Sequence, residues 1–168
     1  MVDSVSALHI HALDHRNAKV AAQIHAVMAQ AYVQEAALLQ VRDFPPLQRT
    51  AADVQASADF FLGARWERLD DSADAELLGV LSIGPDDEAA QLCINALTVA
   101  PHAQRQGIGR ALMQAALLRG QGMDFAVSTA AANAPALALY RGLGFVIYRH
   151  GTMGPQALAL VKLRRAAC

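Results

Sequence analysis

The chain has 168 residues, 54% of them hydrophobic and 17% charged, with a formal net charge of -1. This suits one globular domain, its core over about residues 7–164, and excludes a disordered chain or the strong positive field of a nucleic-acid binder. No apolar run reaches bilayer-spanning length, and Cys93 and Cys168 have neither metal-ligand nor disulfide-framework spacing. The N-terminal MVDSVSALHI lacks the basic and apolar regions of a signal peptide. A reduced, cytoplasmic protein without metal is therefore the expectation.

Ala7 to Leu13 alternates weakly and reads as a first strand, with Asp14 as the N-cap of the helix that follows. Val20, Ile24, Val27, Met28 and Ala31 share one helical face, and Tyr32 to Leu39 either continues this helix or forms a short second one. Pro45 and Pro46 force a loop from Arg42 to Leu47. Thr50 with Asp53 reads as a helix start, and Val54, Ala58, Phe61 and Leu62 recur at helical spacing after it. Trp66 to Leu69 reads as a short strand, Asp70 to Asp74 as a turn, and Glu76 to Ile83 as a strand with Gly79 marking a bulge. Leu92 to Val99 is apolar and stops at Pro101.

A second helix pattern follows through Ile108, Ala111, Leu112, Ala115 and Leu118. Between strand and helix lies Gln104-Arg105-Gln106-Gly107-Ile108-Gly109. The first turn of a helix has backbone N–H groups without intrahelical partners and carries the positive end of the helix dipole. Glycines there let an anion approach closely, and Arg105 and Arg110 add charge on either side. The chemistry points to a pyrophosphate. A dinucleotide-binding fingerprint is excluded because bulky Leu112 stands where a small residue is needed. A P-loop is excluded because no Gly-Lys-Ser/Thr follows. Asp124 to Thr129 then reads as a strand. Asn133 caps a helix through Leu137, Leu139 and Tyr140, and Phe145 to His150 and Gln156 to Leu163 read as the last strands. Lys162, Arg164 and Arg165 read as the solvated end of the final strand.

The stretch Leu97-x-Val99-x-Pro101, then Gln104-x-x-Gly107-x-Gly109, resembles the acetyl-CoA motif of the GCN5-related N-acetyltransferases, Gln/Arg-x-x-Gly-x-Gly/Ala. Asn133-x-x-Ala136-x-x-Leu139-Tyr140-x-x-x-Gly144-Phe145 resembles the same family's second motif. The two cover the C-terminal half of the chain. The resemblance implies a single α/β (α+β) domain: a central mixed, mostly antiparallel sheet flanked by helices, with a V-shaped splay between the fourth and fifth strands.

It also implies acetyl-CoA as co-substrate and transfer of an acetyl group to a primary amine by direct attack in a ternary complex. Leu97, Thr98 and Val99 would hold the thioester and pantetheine arm. Gln104, Arg105, Gln106, Gly107, Ile108, Gly109 and Arg110 would hold the pyrophosphate, with His102 beside them, and Asn133 would touch the pantetheine or phosphate region. Tyr140 would protonate the leaving thiolate. Many members carry a Glu two residues before the Leu of Leu-x-Val; Asn95 stands there and cannot act as a base. Glu35, His150, or a water held by Asn95 or Thr98 are the candidates in its place. The loop from Arg42 to Arg49 is a candidate wall of the acceptor cleft. A homodimer through the last strands is a family habit. The alternative function is a non-catalytic acyl-CoA-binding or sensing module on the same fold.

Overall fold

The computed structural model describes residues 7–66 and 75–168. Seven strands form one sheet in the order β1-β2-β3-β4-β5-β7-β6. They are β1 (Leu8–Ala12), β2 (Phe60–Trp66), β3 (Gly79–Pro85), β4 (Gln91–Val99), β5 (Asp124–Ala130), β6 (Val146–Met153) and β7 (Leu158–Arg165). Every neighbouring pair is antiparallel except β4 and β5.

Among the described residues four α-helices flank the sheet: α1 (Ala18–Leu39), α2 (Ala51–Ala56), α3 (Ile108–Arg119) and α4 (Ala134–Gly142). On one face Ile24, Val27 and Met28 of α1 and Val54 of α2 pack against Phe61, Val80 and Ala96. On the other, Ile108, Leu112, Met113 and Ala116 of α3 and Tyr140 of α4 pack with Leu62, Leu81, Phe125 and Leu163. Burying a large apolar side chain stabilises by about 1.5–3 kcal/mol, so these two layers fix which helix faces which side of the sheet.

The parallel pairing of β4 and β5 is short, matching Gln91–Ile94 to Asp124–Val127 and then stopping. Beyond it β4 continues to Val99 and β5 to Ala130 without pairing to each other, so the sheet opens in a V. A bulge assists this divergence. Ser82 pairs with Ala96 and Ile83 with Ile94, which leaves Asn95 as the extra residue of β4.

Several local expectations are corrected. The N-cap of α1 is Asn17, whose side chain accepts from the Lys19 and Val20 backbone N–H groups at 2.9 and 3.4 Å; it is not Asp14. Tyr32 to Leu39 continues α1 as one helix. Thr50 and Asp53 form a reciprocal capping box, but α2 ends at Ala56. Phe61 and Leu62 belong to strand β2, where pairing with β1 and β3 overrides their helical spacing. Gly79 marks a close approach rather than a bulge: a Cβ there would lie 2.8 Å from Ile108 Cγ2 of α3. Strand β6 runs on to Met153. The expected short strand Trp66–Leu69 shares only Trp66, the end of β2, with the described residues, and the turn at 70–74 lies outside them.

The basic end of β7 is not uniformly solvated. Lys162 is 8% exposed, and its Nζ donates to Asp86 Oδ1 at 2.7 Å and Asp87 Oδ1 at 2.6 Å. The β3–β4 turn supplies carboxylates that repay the burial of the ammonium.

Candidate active site

Gly107 is the N-cap of α3 and holds φ at 82°, in the left-handed region that glycine adopts without steric cost. No side chain caps the first turn of α3, so its backbone N–H groups face a cleft of about 540 Å³. Leu97, Thr98 and Val99 of β4 form one wall of this cleft, and the loop residues Gln104, Arg105, Gly107, Ile108, Gly109 and Arg110 form another. Gln104 donates through Nε2 to the Val99 carbonyl at 3.1 Å and to Gln34 of α1, which ties the loop to both elements.

Two observations fit this cleft to a nucleotide thioester. The glycines leave the helix start open to an anion. In addition, Thr98 lines the cleft with its Oγ1 buried and, among the described residues, without a partner, a polar atom ready to meet a polar arm. Gln106 is exposed and lines neither this cleft nor the cavity described next.

A second cavity of about 230 Å³ occupies the V between β4 and β5. Glu35, Leu97, Asn133, Ala136 and Tyr140 line both spaces, so the junction is built from α1, β4 and α4. Asn133 caps α4, its Oδ1 accepting from the Ala136 backbone N–H at 3.2 Å. Its Nδ2 donates to Glu35 Oε1 at 3.1 Å. Both roles weighed for Asn133, as cap and as cleft-lining residue, are compatible in one side chain. Burial raises the Glu35 carboxyl above the usual carboxylate range, and the hydrogen bond from Asn133 partly opposes that shift.

Tyr140 is 5% exposed and packs against Phe145 at a ring separation of 5.9 Å. Burial, and then the negative charge of Glu35, push its phenol above the ordinary value, so it keeps its proton at neutral pH. Tyr32 lies one helical turn before Glu35 and lines the smaller cavity. Burial and Glu35 push its phenol up to about 12.

The other predicted residues are placed elsewhere. His150 is exposed on β6, an edge strand of the sheet, and lines neither space. His102 faces Glu76, Nε2 to Oε1 at 3.2 Å, and also lines neither. Asn95 lines the smaller cavity and donates through Nδ2 to both oxygens of Asp59, each at 3.1 Å.

Asp59, Tyr32 and Met153 were not expected from sequence, whereas Phe44 lies in the loop from Arg42 to Arg49 expected as a wall of the acceptor cleft. Tyr32 was legible from its helical spacing to Glu35. The loop containing Phe44 and Pro46 does reach the smaller cavity, and Met153 reaches it from the end of β6. No local pattern announces Asp59 or Met153.

Residues 27–145 match the model of the acetyltransferase (GNAT) family. A Bacillus subtilis (strain 168) protein, UPF0157 protein YqkA, is 34% identical over 137 residues, which is 81% of this chain. The chain spans only 37% of that relative's length. Among solved structures, the ribosomal-protein-S18-alanine N-acetyltransferase of Escherichia coli is similar at a TM-score of 0.67 and 15% identity, covering 94% of this chain and 92% of that one. The PaiA N-acetyltransferase of Thermoplasma acidophilum, solved in complex with coenzyme A, is similar at 0.66 and 15%, covering 93% and 98%. These two likenesses establish the fold. The sheet splayed between its one parallel pair, the glycine-capped α3 and the family match over most of the chain agree: the chain belongs to the acetyltransferase (GNAT) family.

Proposed function

We propose that this chain is an acetyl-CoA-dependent N-acetyltransferase that acetylates a primary amine by direct attack in a ternary complex. The observation that carries the reading is the junction of the two cavities, where Glu35 and Tyr140 both face a space that opens to the cofactor-sized cleft on one side and the smaller cavity on the other. Acetyl-CoA, when bound, supplies the activated acetyl thioester.

The chain's own groups do the rest. Backbone N–H groups at the start of α3, with Arg105 and Arg110, bind the pyrophosphate. Backbone groups of Leu97 and Val99 orient the arm and thioester along the end of β4 that has parted from β5. Glu35 removes the proton that an ammonium must lose before it can attack. Its raised affinity for protons brings it nearer to working pH than an ordinary carboxylate. Tyr140 donates its proton to the sulfur as the carbon–sulfur bond breaks, so no free thiolate has to form in a buried site.

A half-buried carboxylate at the junction supports catalysis over a purely acyl-CoA-sensing role, since simple binding gains nothing from it. Calorimetric titration with acetyl-CoA, followed by thiol release in the presence of amines, tests the proposal. We expect one saturable site per chain and amine-dependent release of CoA. Absence of binding in a folded sample would overturn the reading.

A further inference from the structure

We infer that the acceptor is a small primary amine whose other end is apolar and uncharged, and that amino acids and polypeptide N-termini are excluded. The inference rests on the acetyltransferase reading of the site and goes on to the class of its second substrate. The smaller cavity is about 230 Å³. A dry cavity of about 150 Å³ is enough for benzene, so one ring or a branched aliphatic group of similar size fits here.

The walls are chemically one-sided. Away from the junction they are set by Phe44 and Pro46 from the α1–α2 loop, Met153 from β6 and Leu160 from β7. The polar groups opposite, Asn95, Ser128 and Thr129, are neutral. Glu35 is the single carboxylate, and among the described residues no Lys, Arg or His lines the cavity. Arg49 belongs to a separate cleft of about 10 Å³ behind Tyr32 and Pro46, and its guanidinium lies over the Phe61 ring, 5.8 Å from the centroid. A carboxylate carried in with the amine would therefore be desolvated with no cation to meet it and with Glu35 repelling it. The amine itself is attracted to Glu35.

The cavity is also bridged on its outer side. The backbone N–H groups of Arg42 and Asp43 donate to Gln156 Oε1 at 2.8 and 3.3 Å. A Cβ on Gly154 would lie 3.3 Å from Pro45. The α1–α2 loop and the β6–β7 turn thus meet next to the wall residues Phe44, Pro46 and Met153. An extended peptide leaving the amine would have to part them.

The test compares thiol release from acetyl-CoA with 2-phenylethylamine, L-phenylalanine and a hexapeptide beginning with alanine. Phenylethylamine and phenylalanine differ only by the carboxylate. We expect kcat/KM for phenylethylamine about 100-fold or more above that for phenylalanine, because an unpaired buried group is strongly rejected, with the peptide at background. The variant Gln156→Ala cuts the bridge without touching the cavity walls and should raise peptide turnover about tenfold or more.

Turnover of phenylalanine or peptide at or above the level of phenylethylamine would overturn the inference while leaving the acetyltransferase reading intact. Acetyl-CoA binding with no turnover of phenylethylamine or other apolar amines would overturn it too. Failure to bind acetyl-CoA at all, measured by calorimetry on the same sample, would instead remove the reading on which it rests. An unchanged peptide rate in Gln156→Ala would refute the bridge as the barrier.

Discussion

Replacing Gly109 with alanine separates folding from cofactor binding. A Cβ at Gly109 would lie 3.6 Å from Leu139 Cδ2 and 3.8 Å from Val99 Cγ2, ordinary van der Waals distances, so the protein accepts it. The position is helical and its φ needs no glycine. Alanine is favoured over glycine within a helix by roughly 0.5–1 kcal/mol, and for a domain of this size each kcal/mol moves Tm by about 2–4 °C. Tm should therefore rise by about 1–4 °C. The same methyl faces the cleft where a phosphate would meet the backbone. Losing one hydrogen bond to a charged group costs about 1.5–3 kcal/mol, so acetyl-CoA should bind about 10- to 150-fold more weakly. Thermal unfolding without ligand and calorimetric titration of the same sample read the two effects. Gly107→Ala is the contrast: nothing lies within 4 Å of its Cβ, but φ at 82° costs a non-glycine residue roughly 1–2 kcal/mol, so Tm should fall. Unchanged acetyl-CoA affinity in Gly109→Ala would refute the placement of the anion at this helix start.

Three further outcomes are expected. Tyr140→Phe keeps the packing against Phe145 and removes only the proton donor, so kcat should drop by roughly 10²–10⁴ while calorimetry finds acetyl-CoA affinity within about twofold. Glu35→Gln preserves an acceptor for Asn133 but not a base, so kcat should fall by about the same range. The wild-type increase in kcat/KM as pH climbs through the raised Glu35 pKa should be missing from the variant's pH profile. Stability follows with a definite sign. Burial favours protonated Glu35 in the folded state, so that contribution is full below the ordinary value of 4.5 and is lost as pH rises toward the folded value. Denaturant titrations should therefore show Glu35→Gln gaining stability over wild type at pH 7 and little at pH 4. Lys162→Met leaves Asp86, whose side chain is 5% exposed, without its buried partner. A loss of about 3–5 kcal/mol is expected, read as a lowered urea midpoint.

The cofactor half of the proposed site was legible because its chemistry is local. A strand end, a glycine loop and a helix start lie within Leu97–Arg110, and their order places backbone N–H groups toward an anion whatever the rest of the chain does. Asn133 and Tyr140 were legible for the same reason, being seven residues apart on one short helix and its cap. Of the proposed acceptor half, only the loop from Arg42 to Arg49 was named in advance as a wall. The walls come from α1, the loop after it, β4, β5, β6 and β7, and no spacing rule links Phe44 to Met153 or Asn95 to Asp59.

Sequence alone determined the family and the class of fold, and it pointed to the glycine-capped helix start at Gly107 as the anion site we propose. These rest on periodicity, glycine conformational freedom and motifs contained in short segments. It left the base among Glu35, His150 and a water held by Asn95 or Thr98. The tertiary structure sets Glu35 against Asn133 at the junction and His150 on the outer strand, away from both cavities, and on that ground Glu35 is the base we propose. It also turned Phe61 and Leu62 from apparent helix into strand and drew Lys162 inward to the β3–β4 turn. In each case the deciding interaction joins residues 19 to 98 positions apart. Which distant groups share a low-dielectric space is set by how the layers pack, and a group's proton affinity follows from that space rather than from its neighbours in sequence.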